Sequence, residues 1–204
     1  MGFLDVFMSI GEVIVESLSK LVPEVLKSVA TIFINIGKAL GLIDKGTDAE
    51  DLGDKVLQAE EQGKKPEDYD SFEEFVNSLD DFEVDPVKSK ELSAEEKLTK
   101  GVEVVAQLLA EKYEGLDVKD ILDCGVKNVE YLTPDRVKEL GKLIQTDVGT
   151  VNDVIKYLNG TELNDAKLAK DESILVRIEK TINPSISDAD ALRTVRSALL
   201  NAQK

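Results

Sequence analysis

Along residues 3–43 the polar positions recur at a nearly constant interval. Asp5, Ser9, Glu12, Glu16, Lys20, Glu24, Lys27, Thr31, Asn35 and Lys38 are each three or four residues apart, covering 33 residues in nine steps. The mean of about 3.7 residues per step is close to the 3.6 of an α-helix, so these side chains form one nearly straight strip on a helical surface. Apolar residues crowd the remainder of that surface. Phe3, Leu4, Phe7, Ile10, Ile14, Leu18, Val25, Val29, Ile32, Phe33, Ile36 and Leu40 are the candidate contact residues. They require cover from other helices of the chain, from a partner copy or from a bilayer. Pro23 interrupts the pattern, because proline removes a helical hydrogen bond and crowds the preceding turn. The segment is therefore expected to be a long kinked helix or a helix pair, 3–21 and 23–41, with Pro23 in the first turn of the second. The polar strip keeps its phase across Pro23, which favours the kinked helix. Gly37 and Gly41, four residues apart, either offer a place for another helix backbone to approach closely or mark fraying toward the turn at Gly41 to Gly46.

The pattern changes after residue 43. Residues 44–92 read as an acidic connector with short helices near 48–62 and 71–79, separated by the Gly63-Lys64-Lys65-Pro66 break. Thr47 with Glu50 and Ser71 with Glu74 have capping-box spacing, in which a hydroxyl caps the helix start and a glutamate reaches back. The run from Leu79 to Pro86 alternates apolar residues with many acids and is expected to be an extended strap. From Ser93, which forms a further capping box with Glu96, apolar residues recur at helical spacing. Predicted helices end at Gly115, cover Asp117–Gly125, open at Thr133-Pro134, close at Asn159-Gly160, span 162–182 and restart at Ser187. The expected fold is all-α, with a kinked N-terminal apolar helix or helix pair (1–43), an acidic connector with short helices (44–92) and a C-terminal multi-helix domain (93–204).

Charge sharpens this division. The chain has 204 residues and a formal net charge of −16, and residues 44–97 alone hold 19 acidic against 7 basic side chains. An acidic field repels nucleic acid and anionic lipid at long range, and it also keeps a chain soluble. Residues 1–43 are nearly balanced, with 4 acidic and 3 basic. Aromatic residues make up only 5% and tryptophan is absent. The apolar mass is aliphatic, as packed helices prefer. No Lys or Arg precedes the first charge, Asp5, so no cleaved secretory signal is expected, and a cytoplasmic or membrane-associated location follows.

Candidate chemistry is sparse. The chain has no His, and Cys124 is its only cysteine, set in an apolar context that suits a buried small side chain. Neither Asp44 nor Asp68 begins a calcium loop, because the sixth and twelfth positions are wrong in both cases. Gly41 to Thr47 has the glycine spacing of a phosphate loop without its lysine. No catalytic, cofactor-binding or metal-binding residues are assigned, and no cofactor is expected. The pair Val137 to Leu158 resembles a helix-turn-helix: Leu140, Ile144, Val151 and Val154 fill the apolar positions, and Gly141 the small one. It departs at Gln145, where a glycine is usual, and the second helix carries Asp147 and Asp153 against Lys156, which opposes phosphate binding.

These observations favour a non-enzymatic helical protein acting through its N-terminal segment, by assembly with other copies or a helical partner, or by contact with a lipid bilayer. The longest uncharged run, Ser28 to Gly37, is ten residues against the roughly 20 of a membrane span. The alternatives are a DNA-binding regulator using residues 137–158, against which the acidic balance weighs, and an enzyme using paired carboxylates.

Overall fold

The computed structural model describes residues 3–161 and 164–202, and for residues 3–9 the backbone only. Phe3, Leu4 and Phe7 therefore fall outside the described side chains. The protein is all-helical, with eleven α-helices and no strand among the described residues. It divides into two compact units, residues 1–112 and 113–204.

Unit 1 contains α1 (Phe3–Leu18), α2 (Pro23–Leu40), α3 (Ala49–Glu61), a short 3-10 turn (Pro66–Asp68), α4 (Phe72–Asn77), α5 (Pro86–Glu91) and α6 (Ala94–Lys112). The N-terminal segment is the helix pair, not the kinked helix that the strip favoured. Pro23 occupies the start of α2, where a missing N–H costs nothing, and the backbone leaves the helix between Leu18 and Pro23. An unbroken phase is thus compatible with two separate helices.

Helix α6 is the hub of this unit, since α1, α2, α3 and α4 all pack on it. Its Val102, Val104, Val105, Ala106, Leu108 and Leu109 are almost fully buried, so apolar contacts reach it from several sides. The closest approach is the crossing of α3 and α6. A Cβ added to Gly53 would lie 1.9 Å from the Lys97 carbonyl oxygen, and one added to Gly101 would lie 2.2 Å from that of Ala49. Only glycine fits such contacts. Of the glycines singled out by spacing, Gly41 ends α2 in the left-handed conformation (φ 71°), in line with the turn reading, and Gly37 faces the side chains of Ile43 and Val105. Helix α4 is held at its start by Glu111 of α6, whose carboxylate accepts from the N–H groups of Phe72 (3.0 Å) and Glu73 (2.8 Å).

The caps follow local chemistry. Ser93 and Glu96 form the complete capping box. Ser71 caps α4, but Glu74 reaches the N–H of Asp70 instead of Ser71. At α3 the cap is Asp48, one residue beyond Thr47, and its carboxylate accepts from Asp51 N–H at 2.8 Å. The expected strap is extended only over its middle. Asp85 accepts from Val87 N–H and Pro86 opens α5, the cap-plus-proline start also found at Thr133-Pro134.

Unit 2 contains α7 (Val118–Lys127), α8 (Pro134–Thr146), α9 (Val148–Asn159), α10 (Asp165–Ile182) and α11 (Asp188–Ala202). Helix α9 is its centre, packed by α7, α8, α10 and α11. Val151, Val154, Ile155, Tyr157 and Leu158 are buried in it. Side-chain amides tie the surrounding backbone to this helix. Asn128 donates to the Leu158 carbonyl and Asn159 to that of Asp120, both at 2.9 Å. Arg136 grips the buried carboxylate of Glu179 with two hydrogen bonds, 2.6 and 2.8 Å, and lies over the Tyr131 ring, whose hydroxyl donates to the same carboxylate. Cys124 is fully buried, and burial raises its thiol to about 12, as suits a packing residue and not a nucleophile.

Candidate functional site

Most of the expected contact residues lie inside unit 1. Ile14, Leu18, Val29, Ile32, Phe33, Ile36 and Leu40 are buried, while Ile10 and Val25 are half-buried. Helix α2 is a core helix packed on α6 and, more lightly, on α3. Helix α1 is more peripheral, with α6 as its principal neighbour. It rests partly on polar groups, since a Cβ on Gly11 would meet the side chains of Gln107 and Glu103. On either side of the buried stripe through Ile14 and Leu18, Val13 and Val15 are 41% and 37% exposed, and Val22, before α2, is 58% exposed. No helix among the described residues is long and apolar enough to cross a membrane.

The second half of the 137–158 pair is the central helix of unit 2. Helices α8 and α9 are joined through Asp147 alone, which ends one and caps the other, whereas a helix-turn-helix uses a turn of three or four residues. The outward positions of α9 are also engaged. Thr150 bonds Asp147, Asn152 bonds the backbone of Gly115 and Asp117, and Asp153 pairs with Lys167. A groove-reading helix needs a presented face, and α9 is covered by four neighbours.

Unit 1 brings together residues that no spacing in the sequence links to one another. A groove of about 960 Å³ lies between the 41–47 loop, α3, the end of α4 and the strap, which is taken together with α5 as residues 79–91. Leu42, Leu52, Val76 and Leu79 make an apolar floor, and Asp44, Asp51 and Asp80 stand exposed at its rim. Its inner wall holds Asp54 and Ser89. Asp54 is 6% exposed and fully partnered: Gln58 Nε2 donates to Oδ1 at 2.8 Å, and Ser89 Oγ and Lys97 Nζ donate to Oδ2. Lys97 also donates to Ser89 Oγ at 2.9 Å. Burial works against the charged form, yet these three donors together hold the Asp54 carboxyl below its ordinary value.

This arrangement has the residue types of a serine site but the proton inventory of a structural clasp. Ser89 gives its hydrogen to a carboxylate that is a weakened base, and Lys97 is bonded as a donor to both partners. The clasp fastens α5, which has no buried residue of its own, to α3 and α6. Gln58 extends it by donating to the Asp85 carbonyl (3.2 Å) and accepting from Asp85 N–H (2.8 Å). Asp51 lies differently: burial and its acidic neighbours Asp48, Asp54 and Glu50 raise its carboxyl. Among the described residues no group of three or more acidic, His or Cys side chains is arranged to hold a metal ion. Asp54, Ser89 and Lys97 are 35 and 8 residues apart in the chain, and no local spacing marks them. Comparison with protein-family models, with curated proteins and with solved structures finds no significant match to this chain.

Proposed function

We propose that the protein is a non-enzymatic helical assembly protein that joins other copies of itself, or a helical partner protein, through α1 and the turn into α2. The carrying observation is the distribution of exposed apolar side chains. Among the described residues five large hydrophobic side chains are exposed, and three of them, Val13, Val15 and Val22, fall in the first 43 residues. This segment is also nearly neutral, so two copies can meet there without the repulsion that the rest of an acidic chain imposes. Compared with the sequence expectation, the assembly surface shifts from the buried stripe to its flanks, with half-buried Ile10 and Val25 beside the three valines.

Light scattering during gel filtration tests this reading. The expected result is concentration-dependent association of the full chain, lost in Val13→Glu with Val22→Glu while helical content is kept, because both side chains are exposed. A chain that stays monomeric at every concentration, and captures no helical partner through these valines, would overturn it. Flotation with neutral vesicles, abolished by the same substitutions, would replace the protein partner by lipid.

A further inference from the structure

We propose that the groove between the 41–47 loop, α3 and the 79–91 strap is a docking site for a basic amphipathic segment of a different protein. The floor and the rim impose different requirements on an occupant. Leu42, Leu52, Val76 and Leu79, with half-buried Ile43 and Val84, supply the apolar part of a mixed lining, so the occupant presents an apolar face beside its polar groups. Asp44, Asp51 and Asp80 come from three separate elements around that lining, so the occupant carries several cations spaced along its length, not one. None of the three has a basic side chain within ion-pair distance among the described residues. Two lysines also line the groove: Lys45 is exposed next to Asp44, and Lys55 directs its ammonium at the carbonyls of Leu79 (3.4 Å) and Asp80 (3.3 Å).

The raised carboxyl of Asp51 agrees with this placement, since an arriving Lys or Arg supplies a counter-charge. Charge also excludes the competing occupants. Most of the groove's lining comes from residues 44–97, the most acidic part of a chain of net charge −16, so the same acidic surface of a second copy and a nucleic acid are both repelled there. This surface is therefore distinct from the near-neutral valine flank of α1. The α5 part of the strap wall has no buried residue and is held by the hydrogen bonds of Asp54, Gln58, Ser89 and Lys97, whereas Leu79 at its other end is buried.

Fluorescence anisotropy of the full chain with a labelled synthetic peptide of leucine and lysine, leucines on one helical face, provides the test. Saturable binding is expected, weakened at least tenfold by Asp44→Lys with Asp80→Lys, both exposed rim positions. Glu114→Lys with Glu130→Lys, which makes the same change in net charge at exposed sites in unit 2, should leave it nearly unchanged. Equal weakening by the two pairs would mean attraction to overall charge and would overturn the site. So would absence of binding at low salt, or tight binding of a simple alkylamine with none of the peptide. The valine variants of the assembly test should bind the peptide normally, which separates failure of one reading from failure of the other.

Discussion

Both units surround one buried helix, α6 in residues 1–112 and α9 in residues 113–204, but they hold the neighbours of that helix by different means. Around α6 the decisive contacts are backbone against backbone at Gly53 and Gly101, together with a buried ionic clasp at Asp54 and Lys97. Around α9 they are apolar side chains and amide groups that reach backbone carbonyls, such as Asn128 and Asn159. Charge is distributed differently as well. Residues 1–112 carry 25 acidic and 12 basic side chains, and residues 113–204 carry 16 and 13. Both units form ion pairs between helices, Arg136 with Glu179 and Arg196 with Glu172 in unit 2 and Lys100 with Glu60 and Lys112 with Glu73 in unit 1, so the difference lies in the acidic surplus of unit 1. Unit 1 leaves carboxylates unpaired around a groove. A surplus of one sign beside an open apolar floor is what a recognition surface needs, whereas matched charges over a filled core serve packing.

The sharpest way to break this contrast is to remove the clasp. Asp54→Ala leaves the Lys97 ammonium in a site only 14% exposed without its carboxylate, and the expected loss is about 3–5 kcal/mol in urea unfolding. Its pH dependence has a definite sign. Asp54 titrates lower in the folded state than its ordinary value, so its contribution is present above that value and is lost as pH falls through the folded one. Asp51 has the opposite shift and disfavours the folded state once ionised. Asp54→Asn should therefore flatten the acid limb of the stability curve, while Asp51→Asn should raise stability at neutral pH. If the two variants shift stability in the same direction, the clasp is not the ionic element described.

Next in size is Gly53→Ala. Its methyl group would sit 1.9 Å from a backbone oxygen that no rotamer change can move, so α3 and α6 have to separate. The expected loss is about 3 kcal/mol, at the upper end of the usual cost of overpacking. Faster amide exchange in both helices would accompany it.

These two tests concern features that the sequence concealed, and the reason is physical. Helices, caps and breaks depend on residues a few positions apart, so Ser93 with Glu96, Thr133-Pro134 and the opening at Ser187 were legible directly. Helix α5 carried the same start signal in Asp85-Pro86, but the surrounding acids suggested an extended strap. The clasp that keeps α5 in place joins residues from three elements. Gly41 marks the end of α2, as one reading of its spacing with Gly37 has it, while the close backbone approach is at Gly53 and Gly101, partners across a crossing that no sequence interval encodes. The apolar N-terminal surface needs cover by its pattern alone, and that cover is chiefly α6, which the change of texture at Ser93 groups with the helices that follow.

The smallest effect tests the same contrast from unit 2. Gly149 lies in the first turn of α9 and is exposed, and a Cβ there would meet only the Asp147 carboxylate, at an ordinary contact distance of 3.4 Å. Nothing in the packing of that helix requires glycine. Gly149→Ala therefore keeps the Asp147 cap and removes backbone freedom from the unfolded chain, for an expected gain of about 0.4–1 kcal/mol. The chemical change is identical to that in Gly53→Ala, and only the surroundings differ. Opposite signs in the same urea titration would tie the cost at Gly53 to the α3–α6 crossing. A loss at Gly149 comparable to that at Gly53 would mean that the two central helices do not differ in how they are held.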